Sequence, residues 1–221
     1  IYRRMHQVMM DSRLIHCDET PFKLVTPDRK PNSKAYMWVY HTMEAYDSHP
    51  IYLYDYQGGR SSDIPREFLK GYKGILVTDG YQVYHKIANE RPDELKVAGC
   101  RAHCKRRFDD VLKALKASNP RGAVCAEAHK HIAAIYHVDN MYKGAASEER
   151  LDNRQKSVKP LVDAFFDWLR STDTTGIDKS SDFYGAIRYA LNQETFLRVF
   201  LDDPIIPLDN NDAERSIKKF C

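Results

Sequence analysis

The sequence predicts an α/β protein: a mixed five-stranded sheet with flanking helices, followed by an all-helical block. Short runs rich in aromatic and β-branched residues crowd the first hundred positions. From Ser61 onward, segments of helical periodicity separate them. After Cys100 the strand signals stop. Strands first in a meander and then alternating with helices call for one sheet with helices packed on it.

Leu14 to Val25 reads as a first strand, and Thr26-Pro-Asp-Arg-Lys-Pro-Asn-Ser33 as a turn-rich loop. Ala35-Tyr-Met-Trp-Val-Tyr-His-Thr42 and Ile51-Tyr-Leu-Tyr-Asp-Tyr56 read as the second and third strands, close enough for an antiparallel meander. Ser61 or Ser62 caps a helix through Ile64, Pro65, Phe68 and Leu69, ended by Gly71 and Gly74. Gly74-Ile-Leu-Val-Thr-Asp-Gly80 is a short apolar run closed by Asp-Gly, the pattern of a buried strand. A short helix over Tyr81–Ala88 and a fifth strand over Leu95–Cys100 follow. Lys105–Ala117 is amphipathic, with Phe108, Val111, Leu112 and Leu115 on one face, and Asn119-Pro120 stops it. Helices are then expected over 123–142, over 148–169 with a break or kink at Pro160, and over 183–192 and 195–201. Asp203–Asp209 is an extended connector, and Asn210 or Asn211 caps a last helix beginning at Asp212-Ala-Glu-Arg.

At 221 residues with 43% hydrophobic content, the chain can bury a core. Thirty-four Lys and Arg against 31 Asp and Glu leave a net charge of +3, so a nucleic-acid partner has to be sought in local clusters. No apolar run nears the ~18 residues of a membrane span, and no signal peptide is visible. The start at Ile1 and the stop at Cys221 within a helical pattern read as the ends of a fragment. Five irregularly spaced cysteines fit reduced thiols and a cytoplasmic protein.

Three carboxylates stand where a sheet could gather them. Asp18 lies inside the first strand, Asp79 where the fourth strand ends, and Glu214 in the first turn of the last helix. Such a cluster repels itself unless a cation neutralises it, and hard oxygen ligands suit Mg²⁺ or Mn²⁺. Each acid also has a plainer reading. Asp79 before Gly80 is an ordinary turn residue, Asp18 could face solvent from a half-exposed sheet, and Glu214 could close a capping box with Asn211.

The surrounding residues weigh on that choice. His16-Cys-Asp-Glu-Thr-Pro21, Leu76-Val-Thr-Asp-Gly-Tyr81, Gly99-Cys-Arg-Ala-His-Cys-Lys-Arg-Arg-Phe108 and Leu208-Asp-Asn-Asn-Asp-Ala-Glu-Arg215 occur in that order. Together they resemble the IS66 family of bacterial insertion-sequence transposases, from about His16 to Lys219. The resemblance implies an RNase H-like core of the DDE type, with Asp18, Asp79 and Glu214 holding two Mg²⁺ or Mn²⁺ ions. It implies a core over 1–117, a helical insertion over 118–203 and a closing segment over 204–221. The activity implied is DNA cleavage at transposon ends and strand transfer into target DNA by a homo-oligomer, with possible accessory proteins of the same element and association with the nucleoid. A nuclease of the same fold without strand transfer and a non-catalytic DNA-binding or assembly module are the alternatives. Within these motifs the chain departs from the family at Arg101, which stands where the family usually has Trp.

Arg101, His103, Lys105, Arg106 and Arg107 form the densest basic cluster, expected to contact DNA phosphates, with a solvated helix face as the plainer reading. Arg215 and Lys218 flank Glu214 and could do the same. Cys100, His103 and Cys104, even with His16 or Cys17, lack the paired spacing of a zinc site and read as buried thiols. His129 and His131 point to different faces of a helix, and Trp38 and Trp168 read as packing residues.

Overall fold

The computed structural model describes residues 1–23, 34–43, 49–116, 118–211 and 215. They fall into two compact units: Ile1–Ala98, rejoined at Asn210, and Gly99–Asp209. The sequence boundaries at 117 and 203 instead put the helix after Cys100 with the first part.

The first unit is built on a five-stranded sheet of β1 (Leu14–Lys23), β2 (Lys34–His41), β3 (Tyr52–Gln57), β4 (Gly74–Thr78) and β5 (Leu95–Gly99), in the order β3-β2-β1-β4-β5. The expected meander is present: β1 pairs antiparallel with β2, and β2 with β3. β4 then adds parallel to β1, with Leu14, Ile15 and His16 opposite Ile75, Leu76 and Val77. β1 is the central strand, and Leu14 through Glu19 are all buried. This explains why its sequence shows no clean polar alternation.

Helices α1 (Tyr2–Met10), α2 (Asp63–Phe68) and α3 (Gln82–Glu90) accompany the sheet. α1 has no counterpart among the expected elements. It has no side-chain cap and buries only Met9, so little in the sequence marks it. The core joins Leu14, Ile15, Trp38, Tyr40, Leu53, Leu69, Tyr72, Leu76, Val77, Tyr84 and Ile87. Tyr40 stacks on Phe68 at 3.5 Å between ring centroids, and Trp38 meets Tyr84 edge-on at 6.3 Å. At Gly74 a Cβ would lie 2.8 Å from the carbonyl oxygen of Arg13, so glycine permits the close approach that starts β4 beside β1.

From Arg101 the second unit is helical among its described residues: α4 (Arg101–Leu115), α5 (Pro120–Asn140), α6 (Ser147–Asn153), α7 (Lys159–Ser171), α8 (Asp182–Asn192), α9 (Glu194–Arg198) and a 3₁₀ turn over Val199–Leu201. α4 begins four residues ahead of the expected start at Lys105. Asn119 caps α5 by accepting from the Arg121 amide at 2.9 Å, with Pro120 in the first turn. The break expected at Pro160 is a π turn over Arg154–Val158, leading straight into α7. Pro160 offers no N–H to the carbonyl four residues back, and a widened turn just before it accommodates the loss. Arg154, wholly buried, ties this turn to the rest of the unit. It pairs with Asp139 at 2.7 Å and donates to the carbonyl oxygens of Phe200, Asp203 and Ile206. Burial pushes the Asp139 carboxyl up, but Arg154 and Arg150 outweigh it and hold the group below its ordinary value.

Candidate active site

β1 carries Asp18 at the middle of the sheet. The register that sets His16 beside Val77, carried on two residues, brings Asp18 level with Asp79, just past the end of β4. Two carboxylates thus stand level on neighbouring parallel strands, one in the middle of β1 and one just past the end of β4. Asp18 is 9% exposed, and its Oδ1 accepts from the Glu19 amide at 2.9 Å. Asp79 also keeps the turn role that its Asp-Gly sequence offered. Its Oδ1 accepts from the Tyr81 amide at 2.9 Å, and Gly80 takes a φ of +92°, which favours glycine.

Glu19 is a member of this site that the sequence reading passed over. Its carboxyl is buried beside Asp79, and Arg60 binds Oε1 through both Nε, at 3.0 Å, and Nη2. Oε2 is buried with no hydrogen-bond partner. Burial first, and then the charges of Asp79 and Asp18, raise the Glu19 pKa to about 8 against the opposing pull of Arg60. The signal was its place next to Asp18 in a strand buried on both faces. Carboxylate oxygens such as those of Asp18 and Asp79 are ligands that suit a hard divalent cation better than zinc.

The last expected acid, Glu214, lies outside the described residues, as does Lys218. The chain leading to it is nonetheless anchored here. Asn210 donates from Nδ2 to the Cys17 carbonyl at 2.9 Å, and its Oδ1 lies 2.6 Å from His16 Nδ1. Burial, with His41 stacked at 4.6 Å, lowers the His16 pKa to about 3, so the ring is neutral and suited to that bond. Among the described residues, no three Asp, Glu, His or Cys side chains form a group able to hold a metal ion.

The profile of the IS66 transposase family matches residues 1–221. The chain belongs to the IS66 transposase family. Three proteins of Sinorhizobium fredii, described as the uncharacterized proteins y4qI, y4hP and y4jD, are each 28% identical to it. Those matches cover 92%, 92% and 99% of the chain but only 38%, 39% and 43% of the relatives. The chain therefore spans about two fifths of the length of the curated relatives it matches. No solved structure matches it significantly.

In this IS66-family chain the basic cluster belongs to the second unit, and its members differ. Arg101 is a correction: it is 1% exposed, lies 5.1 Å from the centre of the Phe200 ring and donates to the Leu197 carbonyl at 2.7 Å. A side chain so enclosed does not contact DNA. Its position on the buried face explains why a family with Trp there would pack well. Arg106 and Arg107 are exposed on α4, Arg107 over the Tyr189 ring at 4.2 Å and Arg106 within 3.3 Å of His103. Lys105 is half-buried and bound to Asp109 at 2.8 Å, and Arg215 is exposed. The cysteines Cys17, Cys100, Cys104 and Cys125 are buried free thiols, and Cys221 lies outside the described residues. His129 bonds Asp109 at 2.7 Å, while His131 stacks on Trp168 at 5.1 Å.

Proposed function

We propose that this chain is the catalytic region of a DDE transposase with an RNase H-like core, cleaving DNA at the ends of an insertion sequence and joining the 3′-hydroxyls to target DNA. The placement of Asp18 and Asp79 level with each other on adjacent parallel strands, in the middle of β1 and just past the end of β4, carries the reading. The strand order β3-β2-β1-β4-β5 and the return of Asn210 to β1 support it. Asp18, Asp79 and Glu214 would hold the Mg²⁺ or Mn²⁺ ions. Divalent ions there supply charge neutralisation at the phosphate and a more acidic nucleophile, water for cleavage or a DNA 3′-hydroxyl for joining. The residues of the chain fix the carboxylates: Glu19 N–H and Tyr81 N–H each hold one oxygen of Asp18 and Asp79. No Ser or Tyr nucleophile is required.

His103, Lys105, Arg106, Arg107, Arg215 and Lys218 are proposed to steer DNA by charge. Action as a homo-oligomer on paired ends, with accessory proteins of the same element, belongs to the same proposal. Among the described residues no helix is long and apolar enough to cross a membrane.

The test uses the complete gene product, DNA bearing the ends of its element, and Mn²⁺. The unaltered protein is expected to nick the ends and to join pre-cut ends to a plasmid. Asp79→Asn should lower both rates by about 10³-fold or more, the scale on which loss of a transition-state charge stabiliser acts. Cleavage retained by Asp79→Asn overturns the assignment. Cleavage without joining reduces the protein to a nuclease.

A further inference from the structure

We infer that Arg60 is a DNA-positioning residue of this site, gripping a backbone phosphate of the strand presented to Asp18 and Asp79; this rests on the transposase reading above. Arg60 lies in the Gly58-Gly59-Arg60 loop between β3 and α2. Tyr81 ties that loop to the acid turn, since its hydroxyl donates to the Arg60 carbonyl at 2.8 Å while its amide holds Asp79. The guanidinium lies over the Tyr81 ring at 3.8 Å, with the Tyr36 ring 5.8 Å away.

The two edges of the guanidinium have different surroundings. Nε and Nη2 point inward to Glu19, whose side chain is fully buried, while the Arg60 side chain is 40% exposed. Nη1 makes no hydrogen bond among the described residues. An arginine held by a buried carboxylate and stacked on a tyrosine is already oriented, so little freedom is lost when its outer edge binds. The face taken by Tyr81 is closed to base stacking. The remaining N–H donors form an edge suited to phosphate oxygens. The need is electrostatic as well: Asp18 and Asp79 repel a polyanion, and Arg60 is a fixed cation in the loop that Tyr81 ties to the Asp79 turn. A role confined to neutralising Glu19 would not need an exposed edge.

The complete gene product can decide this with a DNA duplex from the element's ends, titrated at several salt concentrations with Ca²⁺ present, together with cleavage in Mn²⁺. Arg60→Gln should weaken binding about 5- to 10-fold and flatten the slope of log K against log salt by about 0.9, the value of one lost phosphate contact. Arg60→Lys keeps the charge and should recover the slope, while kcat/KM stays reduced because the fork is lost. Unchanged affinity and slope in Arg60→Gln overturn the inference even if cleavage falls. If the unaltered protein binds DNA without ever cutting it, the transposase reading fails, and the slope still decides the phosphate contact. A protein that binds no DNA overturns both. Should Arg60→Gln not fold, phenylglyoxal labelling of the unaltered protein substitutes for it: DNA is expected to shield Arg60 several-fold, and equal labelling with and without DNA overturns the inference.

Discussion

Phe200 has two buried guanidinium groups against its ring, Arg101 at 5.1 Å and Arg154 at 5.0 Å, and they are opposite cases. Arg154 is bound by Asp139 and three carbonyl oxygens. Arg101 has one carbonyl partner, and its Nε and Nη1 are buried without any. Burial lowers the pKa of both, yet only Arg154 has a carboxylate bound to it. Removing Arg154 should therefore cost about 3–5 kcal/mol, because Asp139 is left as a buried charge without its closest partner. Replacing Arg101 by Trp should instead stabilise the protein by about 1–3 kcal/mol, by deleting unpaired donors and filling the same space. Urea unfolding of Arg154→Ala and Arg101→Trp measures both, and a loss of stability in Arg101→Trp refutes the account of that position. The burial of Arg101 was legible in part. Arg101, Cys104, Phe108 and Val111 recur at helical intervals, so extending the expected helix back to its true start puts the arginine on the apolar face. Counting it with its basic neighbours hid that spacing.

At the scale of elements, all five strands stood out because aromatic and β-branched runs are short, dense and bounded by turn residues. Their ends shifted by only a residue or two. What eluded the pattern were features set by packing: α1, which buries one side chain, and the π turn, which answers a proline further along. The turn after β4 was legible from Asp79-Gly80, yet the sequence offered its structural and catalytic readings as rivals. The turn is present, and the hydrogen bond that makes it also fixes the carboxylate that the proposed mechanism uses, so the two readings do not exclude each other. Gly80→Ala separates them poorly by design: with φ at +92° the new side chain strains the turn that orients Asp79. The expected cost is about 1–3 kcal/mol of stability, with a weakened response to Mn²⁺ at temperatures where the variant is still folded. Gly59→Ala provides the comparison, because a Cβ there meets nothing within 4 Å and φ is not in the left-handed range. Thermal melts of the two variants with and without Mn²⁺ should differ accordingly.

On the scale of the molecule, the site depends on a connection that no local pattern encodes. His16 and Asn210 are 194 residues apart, and the whole second unit lies between the strands and the return at Asn210. Only the order of the motifs, read through a family resemblance, linked Glu214 with Asp18 and Asp79. The clustered carboxylates predict how the first unit responds to a cation. Without metal, Asp18, Glu19 and Asp79 repel one another, and the buried Glu19 carboxyl takes up a proton far more readily than a free one. A divalent ion that binds the folded chain and not the unfolded one adds stability with concentration, about 2.7 kcal/mol at a hundred times its Kd. The melting temperature of the unaltered protein should therefore rise with Mn²⁺, and that of Asp79→Asn should rise much less. Hydrogen exchange should localise the effect, with added protection in β1 and over Gly74–Tyr81 and little along α5 and α7. An equal thermal shift in Asp79→Asn, or protection confined to the helical unit, would move the metal away from these acids and with it the chemistry assigned to them.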